Sequence, residues 1–238
     1  MITRALLIFM LFALFSGVYG QNISKTDDYI DGTIAFGSYQ GSIAIHYTHM
    51  WKLGKAQKFS LGLGGRLTSY LGNNQYYSTA PAKITSGSTS PLIFFQDIKT
   101  ENIDTLLVNT PQVTMLNVSL NIGYQLTSRF SAGFNIDAIG FSLGARQQAN
   151  YINGFAGKNT TATPTSFNLL LISDNDLGSL NSEIFARYKI NEKWAIKAGL
   201  QFLFTEYTTD TKVQTFPEEN DRFRNKSFMI GLGVNLKI

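Results

Sequence analysis

The last strand-like stretch of the chain reads KSFMIGLGVNLKI, from Lys226 to Ile238. Side chains on a strand point alternately to its two faces, so this pattern predicts one apolar face and one small or polar face. The alternation covers the eleven residues from Phe228 to the last one. An ordinary strand has ~5 to 6 residues, whereas a tilted strand needs ~9 to 11 to cross a bilayer. The stretch therefore predicts a membrane-spanning β-strand.

Seven earlier stretches alternate in the same way. In the one that begins at Phe130, the alternation changes phase after Ala138, which predicts a β-bulge near Ala138 to Gly140. Together the eight stretches predict an all-β fold, namely a single closed eight-stranded antiparallel transmembrane β-barrel over residues 21–238. The earlier stretches cover residues 29–39, 42–53, 57–71, 112–126 and 179–190, with two more beginning at Phe130 and Trp194.

A tight turn at residues 39–42 joins the first two stretches, and after the second stretch short and long connections alternate. Short connections at residues 54–56, 127–129 and 191–193 are separated by long ones at residues 72–111, 146–178 and 208–224. These three short turns therefore fall at one end of the barrel and the three long loops at the other. Bacterial outer-membrane barrels have this asymmetry, with short periplasmic turns and long extracellular loops.

A soluble eight-stranded barrel would show the same alternation with its faces reversed. The non-apolar face here consists of Gly, Ser, Asn and Thr rather than the Lys and Glu of a soluble surface, which favours the membrane barrel. Aromatic residues also gather beside the short turns, as in the interfacial girdle of a membrane barrel. The predicted girdle comprises Trp51, Phe59, Tyr124, Phe130, Tyr188 and Trp194.

The N-terminus has the pattern of a signal peptide. Arg4 precedes an apolar run from Ala5 to Phe15, and small residues at Val18 and Gly20 offer a cleavage site, which predicts a signal peptide over residues 1–20. The chain has no cysteine, so neither a disulfide framework nor a lipid-attachment site is expected. Its net charge is only +4 and its basic residues are not clustered, so no nucleic-acid partner is expected.

The alternation, the turn asymmetry and the C-terminal strand resemble the small porin-like outer-membrane β-barrel proteins, the group containing the OmpA transmembrane domain, OmpX and OmpW. The resemblance covers about residues 27–238. It implies the outer membrane of a Gram-negative cell envelope, with membrane lipids as partners and insertion by the barrel assembly machinery. Such proteins commonly end in an aromatic residue, whereas this chain ends in Ile238.

Several ionisable residues fall on the inward face and predict a charge network in the lumen. Arg66, Asp137 and Glu183 lie about eight or nine residues from the short-turn end, and Arg187 and Lys197 about four. An eight-stranded interior is only wide enough for side chains, so we expect Arg66 to pair with Asp137 and Glu183 as filling of the barrel. A proton or ion pathway through these charges is the alternative.

No catalytic, cofactor-binding or metal-binding residue is predicted. His46 and His49, the two histidines, are three residues apart on a strand and point to opposite faces, so they cannot bind one metal together. Some eight-stranded outer-membrane barrels are lipid A-modifying enzymes that use His and Ser near the outer rim. His46 is expected well down its strand, away from that rim, so the chain is not expected to be an enzyme.

The long loops carry three apolar runs, at Pro91–Phe95, Leu106–Val108 and Phe167–Ile172. We expect them to extend hairpins above the membrane as strands. If they entered the membrane instead, the barrel would have ten or twelve strands and could form a conduit. The expected function is structural or surface interaction through the loops at residues 72–111 and 146–178. The alternatives are passage or binding of small hydrophobic molecules at the barrel mouth and, less favoured, lipid modification.

Overall fold

The computed structural model describes residues 26–89, 97–153, 156–172 and 175–238. The predicted signal peptide and the apolar run Pro91–Phe95 lie outside these ranges. The described residues form thirteen strands, one short helix, α1 (Ala82–Thr85), and a 3-10 turn at Thr100–Asn102. The strands are β1 (Thr26–Gly37), β2 (Gln40–Leu53), β3 (Phe59–Gly72), β4 (Gln75–Thr79), β5 (Thr105–Val108), β6 (Gln112–Gln125), β7 (Phe130–Leu143), β8 (Gln147–Asn153), β9 (Ala156–Pro164), β10 (Phe167–Leu169), β11 (Leu180–Lys189), β12 (Trp194–Thr209) and β13 (Arg222–Lys237).

All thirteen strands belong to one antiparallel sheet. Eight long strands correspond to the eight predicted stretches, and each pairs with the next in the order β1, β2, β3, β6, β7, β11, β12, β13. β13 also pairs with β1, from Tyr29 opposite Lys237 to Phe36 opposite Ile230. The largest difference from the predicted boundaries is at the C-terminal strand, which begins at Arg222 instead of Lys226 and pairs with β12 as far as Thr208.

The two faces of the long strands differ sharply in exposure. Ile230 and Leu232 on β13 are more than half exposed, whereas Gln201 on β12 and Asn135 on β7 are buried. The exposed face is apolar and the enclosed face is largely polar, which is the reverse of a water-soluble barrel. The soluble alternative therefore does not fit the structure. Within the described ranges, no helix has the length and apolar character needed to cross a membrane.

The predicted β-bulge is confirmed on β7. Val118 of β6 pairs with Ile139, but the next residue, Ser119, pairs with Asp137, so Ala138 has no partner in β6. The carbonyl oxygen of Ala138 instead accepts a hydrogen bond from the amide of Leu170, at 2.8 Å. The extra residue restores the apolar side chains Ile139 and Phe141 to the exposed face.

The segments predicted as long loops contain five additional strands, so the sheet has thirteen strands, five more than the eight predicted to cross the membrane. β4 pairs with β5, β5 with β8, and β8 with β9. β4 also joins the outer end of β13, and β9 joins the outer end of β12, so these four strands continue the wall beyond the long strands. Leu106 to Val108, predicted to extend a hairpin, lies in β5, and the run from Phe167 begins with β10.

An apolar core fills the interior at this end, which we call the outer end. It includes Tyr70, Tyr77, Tyr207 and Phe223, all with no exposed surface, and the rings of Tyr77 and Tyr207 lie 5.3 Å apart, edge to face. The remaining members are Ala35, Leu106, Val108, Val113, Met115, Ala149, Tyr151, Ala162, Leu203, Val213 and Met229. The interior thus has a polar level nearer the short turns and an apolar level at the outer end.

Candidate functional site

A layer of charged side chains crosses the polar level of the interior, with Arg66 at its centre. The Arg66 guanidinium donates to Asp137 Oδ1 from Nε at 2.9 Å and from Nη2 at 2.6 Å, and to Asn135 Oδ1 at 2.6 Å. It also donates to the carbonyl of Asn181. Asp137 Oδ2 accepts from the side chain of Asn117 at 2.7 Å, so both carboxylate oxygens are hydrogen-bonded. A buried ion pair is stabilising only when the remaining polar atoms of both groups are also hydrogen-bonded.

Glu183 is the second carboxylate of this layer. Its Oε2 accepts from Lys197 Nζ at 2.6 Å and from Asn135 Nδ2 at 3.1 Å, and lies 3.6 Å from Arg66 Nη1. Lys197 also donates to Thr33 Oγ1 at 3.1 Å. Arg66, Asp137, Glu183 and Lys197 are all buried, with two positive and two negative charges. The layer is therefore neutral, and every charge in it has an opposite partner.

Arg187 does not join this layer. Arg187 and Lys197 are directly opposite each other on β11 and β12, so two like charges are neighbours on the inner face. The Lys197 side chain binds Glu183, whereas the Arg187 guanidinium points away from it and lies 2.8 Å from Asp31 Oδ2. The Phe185 ring lies against both cations, 4.5 Å from Arg187 Cζ and 4.7 Å from Lys197 Nζ. Arg187 and Lys197 therefore lie at the same level of the barrel, as predicted, but their side chains point in different directions and bind different carboxylates.

Sequence reasoning missed a second charged cluster, at the outer end. Glu206 accepts from Arg222 Nε at 2.8 Å and from Arg224 Nη2 at 2.7 Å, and its own side chain is fully buried. Glu206 has the same phase on β12 as the exposed residues Phe202 and Leu200. The carbonyl of Asp176 accepts from both arginines, so the segment after β10 lies over this cluster. Alternation alone could not reveal this cluster, because Glu206 continues the exposed phase of β12 and the two arginines fall in a segment predicted as a loop.

His46 lies in the polar level, beside Ser119. Its Nε2 is 2.7 Å from Ser119 Oγ and 3.3 Å from Thr48 Oγ1, and both His46 and Ser119 are buried. A nucleophile and base pair would need a third group that orients the imidazole. Among the described residues, Nδ1 of His46 has no hydrogen-bond partner. His49 instead contacts Asp28, at 2.7 Å, and stacks edge to face on Trp51.

The predicted girdle residues lie at or near the three short turns. Phe130 and Tyr188 are opposite each other on β7 and β11, with ring centres 4.9 Å apart, and Arg129 Nη1 donates to the Tyr188 hydroxyl at 3.3 Å. Tyr124, Phe130 and Trp194 are exposed, and Trp51 and Tyr188 are half-buried. Phe59 is exposed too and lies opposite Tyr124 in the sheet.

Side chains at the outer end are linked by hydrogen bonds as well as by apolar packing. The Tyr151 hydroxyl on β8 donates to Asp104 Oδ2 at 2.6 Å. Burial, together with this hydrogen bond, raises the pKa of Tyr151 to about 12. No group of three His, Asp or Glu residues in the described ranges is arranged to hold a metal ion.

The fold and its charge layer define an all-β protein with an apolar exterior and a polar, charge-paired interior. No protein-family model matches the chain, and no curated protein is similar to it. Its strand arrangement is similar to solved structures of outer-membrane proteins. Neisserial surface protein A is 11% identical over 90% of this chain and 96% of that one, with a TM-score of 0.34.

Two further solved structures show the same degree of similarity. The attachment invasion locus protein Ail of Yersinia pestis is 7% identical over 90% of this chain and 97% of that one, with a TM-score of 0.33. A major outer membrane protein from Thermus thermophilus is 11% identical over 90% of this chain and all of that one, with a TM-score of 0.37. At this level of similarity, no functional property is transferred to the present chain.

Proposed function

We propose that the chain is a closed eight-stranded transmembrane barrel of a bacterial outer membrane, with a structural or surface-interaction role. The observation that carries the proposal is the apolar exterior around all eight long strands, combined with a polar interior in which the charges are paired. Exposed apolar area on this scale is not stable in water and fits a lipid environment. The long strands pair in a ring from β1 through β13 and back to β1, so no sheet edge is left with unpaired backbone groups, which a bilayer does not tolerate.

The height of the apolar band supports a spanning barrel. On β12 the apolar residues of the outward phase run from Trp194 to Phe204, which is half-buried, and the next residue of the same phase is the charged Glu206. On the partner strand, Lys226 lies opposite Phe204. Ten steps of ~3.4 Å give ~34 Å of strand, and a tilt of ~40° reduces this to ~26 Å, close to the ~25 Å apolar band of outer-membrane barrels.

The closed outer end supports a structural or surface role over passage of solutes. The apolar core there is built from buried side chains, and below it the neutral charge layer crosses the interior. On the outside of the same end, Tyr39, Tyr76 and Phe216 are more than half exposed. Aromatic side chains of this kind are enriched where proteins meet partners. With the short turns in the periplasm, this surface faces the exterior.

The spanning arrangement can be tested with single fluorophores, because the chain has no cysteine of its own. We expect a label at Ile230→Cys, in the apolar band, to be quenched by lipids that carry a quencher at mid-depth of the acyl chain. A label at Lys158→Cys, on the exposed face of β9, serves as the matched control and should be quenched only by water-soluble agents. Equal water-soluble quenching at both positions would contradict a transmembrane barrel.

A second experiment separates the proposed role from passage of small hydrophobic molecules. Vesicles containing the refolded protein are expected to take up an apolar solute no faster than empty vesicles. Faster uptake would replace the structural role with a transport role. Enzymatic activity is not part of the proposal, since the described residues give the buried His46 and Ser119 pair no orienting partner.

A further inference from the structure

A cavity of about 330 Å³ opens at the short-turn end of the interior, below the charge layer. Its walls come from the inner faces of the long strands and from all three short turns. Thr48, Asn121 and Phe185 form its inner limit, and Lys58, Ser128 and Lys193 stand at its opening. A volume of this size lies within the ~300 to 1,000 Å³ range of small-ligand sites.

Glycine residues make room for the large side chains that line this cavity. A Cβ atom at Gly133 would lie 2.5 Å from Phe185 Cζ, and one at Gly62 would lie 2.3 Å from Met50 Sδ. The small residues therefore let Phe185 and Met50 lie flat against the strand next to their own. The interior at this level stays hollow, because these two side chains pack against backbone and do not fill its centre.

The lining is strongly cationic. It carries a formal excess of five positive charges, whereas the whole chain has a net charge of +4. Charges of one sign on the walls of a cleft reinforce one another and raise the local concentration of counter-ions. The cations are Lys52, Lys58, Arg129, Arg187, Lys189, Lys193 and Lys237, and the carboxylates are Asp27 and Glu192.

Only part of this charge is neutralised by the protein. Asp27 is shared by Lys52, at 2.6 Å, and Lys237, at 2.7 Å, so one carboxylate serves two cations. Three other lining cations contact no carboxylate within the described part of the chain. They are Lys58, Arg129 and Lys193, which stand on the three different short turns or beside them.

We propose that this cavity is a binding site for a small multivalent anion, such as a molecule bearing several phosphate groups. Three cations without carboxylate partners converge from separate turns, and Arg supplies planar donors while Lys supplies compact charges for phosphate oxygens. The Ser128, Ser131 and Asn235 side chains in the lining provide further polar contacts. The site lies at the opposite end of the interior from the proposed surface-interaction end and does not depend on that role.

The test uses tripolyphosphate as the probe and the full chain refolded in detergent, where both ends of the barrel are accessible. Titration calorimetry should show binding that weakens as salt is added, because partly exposed charges are screened. The variant Lys58→Gln/Lys193→Gln should lower the association constant about tenfold, since each partly exposed ion contact contributes up to roughly fivefold. Heat-dependent migration on gels verifies that the variant is folded.

The matched control is Lys55→Gln/Lys158→Gln, which removes the same charge. Lys55 lies in the first short turn but outside the cavity lining, and Lys158 lies at the outer end. We expect less than a twofold change in the control. The proposal is overturned if both double variants weaken binding equally, since that result indicates attraction to overall charge, or if the unmodified protein does not bind the probe at low salt.

Discussion

Removal of Arg66 should be the most damaging single change in the interior. Arg66→Met keeps most of the side-chain volume but leaves Asp137 without its cation and gives the buried layer a net negative charge. Breaking a buried ion pair by removing one partner typically costs about 3 to 5 kcal/mol. Asp137 keeps hydrogen bonds from the Asn117 side chain and from the Asn181 amide, at 3.0 Å, so we expect the lower part of that range, about 3 kcal/mol.

The assay is urea unfolding of the protein refolded in lipid vesicles, followed by the fluorescence of Trp51 and Trp194. Arg129→Met is the matched control, since it removes an exposed arginine and should change the free energy of unfolding by less than about 0.5 kcal/mol. The double variant Arg66→Met/Asp137→Asn should recover about 1 to 2 kcal/mol, because it also removes the unpaired charge. A loss below about 1 kcal/mol for Arg66→Met, or no recovery in the double variant, would refute the argument.

Two more predictions concern packing and pH. Gly133→Val should lower the free energy of unfolding by about 1 to 3 kcal/mol, because its Cβ would overlap the Phe185 ring, whereas Gly65→Ala, with open space around it, should have little effect on the urea midpoint. Because the pKa of Tyr151 is raised to about 12 from an ordinary value near 10, its contribution to stability is fully present below pH ~10 and is lost as pH rises toward 12. Tyr151→Phe should remove that part of the alkaline decline, and an unchanged alkaline unfolding curve would contradict the assignment.

The long strands could be predicted from the sequence because a strand between lipid and a polar interior must alternate at every step. The same rule located the bulge at Ala138, where one extra residue returns Ile139 and Phe141 to the apolar face. Of the five short strands, β5 and β10 lie where apolar runs had predicted strand extensions, but β4, β8 and β9 could not be predicted in this way. The sequence of β9, AGKNTTATP, shows no alternation of apolar and polar residues along its nine positions.

The charge layer could be predicted because counting residues from the short turns shows which inward-facing positions lie at the same level of the barrel. In a narrow interior, opposite charges at one level have few other partners within reach. The contacts of Arg66 with Asp137 and Glu183 therefore follow from the strand pattern. The partners of Lys197 and Arg187 did not follow. Both side chains are long, and their directions depend on the Phe185 ring that lies against them.

The polarity of the strands reverses along their own length, and this reversal has a physical cause. On the lower part of β12, apolar residues such as Leu200 are exposed and Lys197 is enclosed; near the outer end, Leu203 and Tyr207 are enclosed, and the charged Glu206 takes the outward phase. The polarity of a side chain must match that of the surroundings on its face of the sheet. Lipid outside requires an apolar exterior and leaves the interior to polar groups, whereas water outside allows an apolar core within. The change between Phe204 and Glu206 therefore marks the level at which the apolar band of the exterior ends and the segment after β10 begins to cover the wall.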